Sequence, residues 1–272
     1  MTAVETLDEA DGSADEAVEL YAELDTEDLR RFLTVHEAVP ADSAPSIDEF
    51  DDWSGFRERV FSSYAGRGPS ASVLADRVER FETAVRAAAD DESIDHLGGG
   101  VLKDAASGGF NRISETTNEI NDALMYSNAG YDVVLEPGTS EKYDSVSSNR
   151  VDLIAEDEDA EVFVESKYIS GKIDNRITDR IKGAEDKFRS SPLVGDEDET
   201  TLHIRAVETN KNVNNIVEKV EDRIGTIRSR GRDIDNIDLI RVYVGDPPTS
   251  PPDNSVTENK SPNVVIVDEA SE

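Results

Sequence analysis

The chain has no cysteine. Disulfides, thiolate catalysis and cysteine-ligated zinc are therefore excluded. Histidine is nearly as scarce. His36, His96 and His203 are scattered without metal-ligand spacing, and each reads as an ordinary structural or surface residue. No apolar run approaches the ~20 residues of a membrane-spanning helix, so no membrane partner is expected. The stretch Met1 to Glu16 is acidic and lacks the basic and apolar segments of a secretory signal, which makes the cytoplasm the expected location. Basic residues are few, with 28 Lys+Arg against 61 Asp+Glu and a formal net charge of −33. Only 36% of the 272 residues are hydrophobic. That implies a compact core under a strongly charged surface, in one large domain or two small ones.

Such acidity usually argues against a nucleic-acid partner. Here it has another explanation. The chain is acidic throughout, Arg outnumbers Lys, and Ala, Val, Asp and Glu abound. That is the pattern of a halophile's protein, adapted to molar salt. At about 1 M salt the Debye length is only ~3 Å, so groups at contact distance matter more than the global field. One segment escapes the acidic bias. From Glu165 to Arg232 there are 14 Lys+Arg and 13 Asp+Glu, a net of +1, which leaves −34 for the rest. Amphipathic helices with mixed charge on solvated faces would give the same balance.

The first hundred residues read as helical. Ala14, Ala17, Val18 and Tyr21 follow the helical period, and Thr26 can cap a helix that turns Leu29, Phe32 and Leu33 inward. Ile47 to Tyr64 carries another apolar stripe that includes Trp53. Ser70 caps a helix to about Ala89, with Val73, Leu74, Val78, Phe81 and Val85 on one face. Gly98-Gly99-Gly100 marks a linker. The expected division is a helical region over 1–97, a Gly-rich linker over 98–110, an α/β domain over 111–245, and a Pro/Ser/Asn-rich tail over 246–272. The tail is expected to be largely extended or disordered, except for Val264 to Val267. Within the α/β domain a helix runs from Asn111 to Ala129 and stops at Gly130 as a C′ glycine. Strands follow at Tyr131–Glu136, Arg150–Ala155 and Glu161–Ile169, then a helix at Lys172–Arg189 and a strand at Leu202–Val207. A helix at Asn212–Ile227 and a strand at Ile237–Val244 complete the order. The order α-β-β-β-α-β, followed by α-β, fits a mixed sheet with helices on both faces.

Chemistry concentrates on two of these strands. Asp152 interrupts the apolar Val151-Asp152-Leu153-Ile154, and Glu165 and Lys167 interrupt Val162-Phe163-Val164-Glu165-Ser166-Lys167-Tyr168. Side chains alternate along a strand, so Glu165 and Lys167 share a face. Pairing the two strands across the Glu156–Asp159 turn brings Asp152 near Glu165. Two carboxylates and one ammonium then converge. Hard cations such as Mg²⁺ take oxygen ligands. A bound ion can polarise a phosphate and acidify a water, and a lysine can orient that water or stabilise developing charge. In a chain this acidic an Asp and an E-x-K also arise by chance. A structural ion pair is the plain alternative, but acids set inside apolar strands need partners.

Asp152, a twelve-residue spacer and Glu165-Ser166-Lys167 resemble the PD-(D/E)XK motif of restriction-endonuclease-like proteins. The resemblance covers roughly Asn111 to Val207. It implies a restriction-endonuclease-like αβββαβ core, with the helical N-terminal region ahead of it. It implies Asp152 and Glu165 as metal ligands, Lys167 as the catalytic lysine, and the backbone carbonyl of Ser166 as a further ligand. Many members add a glutamate on the preceding helix, where Glu119 stands. Thr116-Thr117-Asn118-Glu119 also fits a capping box, with Glu119 as the N3 residue, so both readings of Glu119 stay open. The helix after the third strand places Asn175, Arg176 and Arg180 where the family meets phosphate. Salt bridges to Asp174, Asp179 or Asp186 are the plain reading of those arginines. Val151 stands where the motif has proline.

The expected activity is therefore a Mg²⁺-dependent endonuclease, with Mn²⁺ able to substitute, acting on nucleic acid with DNA favoured. An RNA-cleaving toxin of the same fold is the alternative within the class. Outside it, the alternative is an inactive nuclease-fold module that binds a protein partner through its N-terminal helices. Many such nucleases are homodimers.

Overall fold

The computed structural model describes residues 71–95, 105, 110–135, 137, 151–158, 161–170, 174–195, 198–207, 213–244 and 263–268. The helices expected before Ser70 and the Gly98–Gly100 linker lie outside them. The chain divides into two compact units, Met1–Asp90 with Leu97–Thr117, and Asp91–His96 with Asn118–Glu272.

In the first unit, helix α1 spans Ala71–Ala89. Its Val78, Phe81, Ala84, Val85 and Ala88 are buried, the i, i+3, i+4, i+7 stripe that its sequence foretells.

The second unit is α/β, built on a mixed seven-stranded sheet. Its strands are β1 (Ile94–Asp95), β2 (Asp132–Leu135), β3 (Leu153–Glu156), β4 (Glu161–Ser170), β5 (Glu199–Val207), β6 (Leu239–Val244) and β7 (Asn263–Asp268). They lie in the sheet in sequence order. β2, β3 and β4 pair antiparallel, whereas β4 to β7 pair parallel, as do β1 and β2. Parallel neighbours need long crossovers. Helix α2 (Phe110–Asn128) lies between β1 and β2 in sequence, α3 (Asp174–Ser190) between β4 and β5, and α4 (Val213–Ser229) between β5 and β6. The segment α2-β2-β3-β4-α3-β5 runs in the order expected from the sequence. Val264 to Val267, the expected exception in the tail, forms most of β7.

Helix ends follow local chemistry. α2 closes on Gly130 at φ 94°, where Gly130 N–H donates to Ser127 O at 2.8 Å and Tyr131 N–H to Tyr126 O at 3.2 Å. That is a Schellman pair, and it takes a left-handed residue that glycine adopts without a Cβ clash. Gly231 at φ 74° ends α4 in the same way.

Alternation along β4 sorts the sheet's two faces. Phe163 and Ile169 join Ile154, Leu202, Ile204, Ile240 and Val242 in a core covered by Ile177, Ile181, Ala184 and Phe188 of α3 and by Val220, Ile224 and Ile227 of α4. Glu165 and Lys167 have the same parity as Phe163 and Ile169. They therefore point to the face that α3 covers.

Candidate active site

The register Leu153↔Val164 sets Asp152 against Glu165 and Ser166. One expectation changes here. The sequence predicts Asp152 inside a strand beginning at Arg150, but β3 begins at Leu153 and Asp152 occupies a bend just ahead of it. The physical reason is local. Asp152 N–H donates to Val164 O at 3.1 Å, while its carboxylate Oδ2 accepts the Ser166 N–H at 2.9 Å. A side chain has taken a donor that a continued ladder would pair with backbone.

The structure brings Asp152, Glu165, Ser166 and Lys167 together. Lys167 Nζ lies 3.0 Å from Asp152 Oδ2 and 2.8 Å from the Ser166 carbonyl oxygen, and it ion-pairs with Glu165 Oε1. A fourth side chain completes the cluster. Lys187, near the end of α3, places Nζ 3.1 Å from Asp152 Oδ1 and 2.7 Å from Glu165 Oε2. Two acids thus face two ammoniums. Glu165 is fully buried, Asp152 and Lys167 are 14% and 15% exposed, and Lys187 is 32% exposed. Exposure within the cluster is greatest at Lys187.

Burial and charge set the protonation states. Burial pushes Glu165 up to about 7, Asp152 adds to the push, and the two lysines only partly offset it. Burial also opposes ionisation of Asp152, but Lys167 and Lys187 outweigh it and hold that carboxyl well below the usual carboxylate range. Burial would lower Lys167, yet Asp152 and Glu165 reverse the sign and hold it firmly protonated. Lys187 is raised by the same two acids against its own burial.

The oxygen donors fit a hard cation. Asp152, Glu165 and the Ser166 carbonyl already surround one cationic nitrogen. Glu165 Oε1 is buried and, although within ion-pair reach of both ammoniums, lacks an aligned hydrogen-bond donor. Buried carboxylate oxygens are costly to leave without one. Among the described residues no three carboxylates or imidazoles are grouped to hold a metal ion. Glu119 accordingly forms no such group with Asp152 and Glu165. It is buried in the interior of α2, which begins at Phe110. A helix start at Thr116, and with it the capping box, is thereby removed.

Arg176 and Arg180 lie on α3, Arg176 exposed and Arg180 half-buried. The side chain of Asn175 lies outside the described residues. At 1.5 Å per residue, Arg180 and Arg176 stand roughly 10 Å and 16 Å back from Lys187 along the axis, and at 100° per residue all three share one helix face. That spacing is the signal by which Lys187 could have been found in the sequence: it extends the i, i+4 pair by seven more residues, beside the buried Ile177–Ile181–Ala184–Phe188 stripe.

The sheet's opposite face carries a second polar group that sequence reasoning missed. Asp122 of α2 lies 3.0 Å from Arg205 Nη2 and 3.1 Å from His203 Nδ1. Arg241 Nη1 donates to Tyr126 Oη at 2.7 Å and stands 3.4 Å from His203 Nε2. Burial opposes ionisation of Asp122, but His203 and Arg205 outweigh it and keep the carboxyl low. Burial keeps His203 below the usual imidazole value despite Asp122. Arg205 is then the counter-charge of Asp122, and His203 stands between Asp122 and Arg241. The sequence signal was Thr201, His203 and Arg205 at period two, facing Asp122 and Tyr126 at i, i+4.

The chain matches no protein-family model, no curated protein and no solved structure in comparisons with each.

Proposed function

We propose that this chain is a divalent-metal-dependent nuclease of the PD-(D/E)XK type that hydrolyses phosphodiester bonds, with DNA the favoured substrate. One observation carries the reading. Three oxygens of different origin, from the Asp152 carboxylate, the Glu165 carboxylate and the Ser166 carbonyl, gather on one cationic nitrogen, that of Lys167. The element order α2-β2-β3-β4-α3-β5 supports a restriction-endonuclease-like core around them.

Asp152, Glu165 and Ser166 O would hold Mg²⁺, or Mn²⁺ in its place, and Glu119 is not needed for the set. When bound, such an ion polarises the phosphate and acidifies a water. Lys167 places its ammonium beside Asp152, Glu165 and the Ser166 carbonyl. It donates hydrogen bonds, orienting the attacking water or stabilising charge on the phosphate. Arg176 and Arg180 offer cations to the neighbouring backbone phosphates. Water adds across the P–O bond, leaving one phosphomonoester and one hydroxyl.

The test is digestion of plasmid, single-stranded DNA and tRNA in molar KCl with Mg²⁺ or Mn²⁺. Asp152→Ala, Glu165→Ala and Lys167→Ala should each lower cleavage by about 10²-fold or more, with the folded spectrum retained. Cleavage that survives all three substitutions removes the site from the reaction.

A further inference from the structure

The site contains one cation more than hydrolysis calls for. Resting on the metal-site reading above, we propose that Lys187 is a resident counter-cation: its ammonium occupies the carboxylate pair in the metal-free protein and yields that place when a divalent ion binds.

The argument begins with charge. Asp152 and Glu165 supply two negative charges, and Lys167 and Lys187 supply two positive ones, all within ion-pair distance. With both carboxyls ionised, as ligation of a hard cation requires, the cluster is neutral. Adding a divalent ion would put four positive charges on two negative ones inside a largely buried space. Like charges at that range raise each other's energy steeply, and salt screens buried groups little. One ammonium must leave.

The structure distinguishes which one. Lys167 holds a third oxygen, the Ser166 carbonyl, at 2.8 Å. Its backbone is fixed in the ladder to β5, where Lys167 pairs with Ile204. Lys187 holds only the two carboxylates, and its side chain is 32% exposed, twice the value for Lys167. It sits three residues before the end of α3, on a flexible four-carbon stem that can carry the charge into water. Its partners, moreover, are the two carboxylates proposed as ligands: Asp152 Oδ1, and Glu165 Oε2 and Oε1. Lys187 and the ion would therefore compete for the same lone pairs.

A lysine that merely braces the fold and a lysine that competes with the ion make opposite predictions. Removing a brace weakens both the fold and the metal site. Removing a competitor weakens the metal-free fold, because buried Glu165 loses a counter-charge, yet tightens the metal site.

The experiment is calorimetric titration of the full chain with Mn²⁺ in molar KCl, paired with thermal unfolding in chelator. Lys187→Met should lower the metal-free Tm and tighten the Mn²⁺ Kd by about tenfold or more. Lys187→Gln keeps hydrogen-bond donors without the charge, guards against misfolding and should tighten it likewise. Lys187→Arg keeps the charge and should leave the Kd near wild type. Lys182→Met, on the same helix, controls for general loss of positive charge. An unchanged or weaker Kd in both Lys187→Met and Lys187→Gln overturns the proposal while the metal site stands. Equal tightening in Lys182→Met overturns it as well. No Mn²⁺ bound by wild type or any variant overturns the metal-site reading, and this inference with it.

Discussion

Glu165 has no exposed surface, and its carboxyl titrates near neutrality, at about 7 against an ordinary 4.5. A folded-state pKa raised above the unfolded value means that the folded protein holds the proton more tightly. The associated stability is fully present below about pH 4.5 and is lost as pH rises through about 7. In chelator, the wild-type protein should therefore lose on the order of 3 kcal/mol between pH 5 and pH 8 relative to Glu165→Gln, which cannot ionise. Denaturant titrations of both proteins across that range measure the difference, and parallel curves would contradict the assignment. The acid motif itself was legible residue by residue, because an Asp and a Glu inside apolar strands have no solvated reason to be there. Lys187 was not. A lysine on an amphipathic helix looks the same in sequence whether it faces water or two carboxylates 22 and 35 residues back along the chain.

At the scale of the element, the helices were the most readable features, since period 3.6 needs no partner to be seen; the two-residue β1 lies in the region expected to be helical. α3 begins and ends within two residues of its expected bounds. Gly183, in the middle of α3, is exposed, and a Cβ built there meets nothing within 4 Å. Gly183→Ala should therefore raise stability by about 0.8–1 kcal/mol, through helix propensity alone; a loss in urea titration would show a packing role. β3 was less readable. Its start moved by three residues because a side-chain oxygen, not a backbone one, accepts Ser166 N–H. The bonds joining α2 to β5 and β6 are of another kind. Asp122 and Arg205 are 0% and 3% exposed, and removing one member of a buried ion pair leaves the other uncompensated. Asp122→Ala should cost about 3–5 kcal/mol, read as a lower denaturation midpoint at unchanged m-value. A change under 1 kcal/mol would mean that water or another group takes the carboxylate's place.

For the whole molecule, charge governs. A net of −33 on 272 residues is self-repulsive in dilute buffer, where the Debye length is ~10 Å at 0.1 M, and is screened at molar salt, where it is ~3 Å. Lowering KCl from molar to 0.1 M should reduce the Tm substantially and reversibly. A Tm independent of KCl over that range would remove the halophilic reading of the composition. Under the proposed function, the same screening would let so acidic a chain meet a polyanion. At ~3 Å only groups in contact with a phosphate would be felt, and Arg176 and Arg180 of α3 are the ones proposed for that contact.

The sequence by itself determined the class of the fold, most of its elements and the three residues around which the site is argued. These are encoded in local periodicity and in residues that contradict their surroundings, and both survive without knowledge of the fold. Only the tertiary structure decided that a fourth side chain enters the cluster, that Glu119 lies buried within α2 rather than in its first turn, and that a buried Asp–His–Arg group lies on the sheet's far face. Each depends on which surfaces meet across tens of residues of chain. Long-range electrostatic pairing leaves no period in a sequence, because its cause is distance in space.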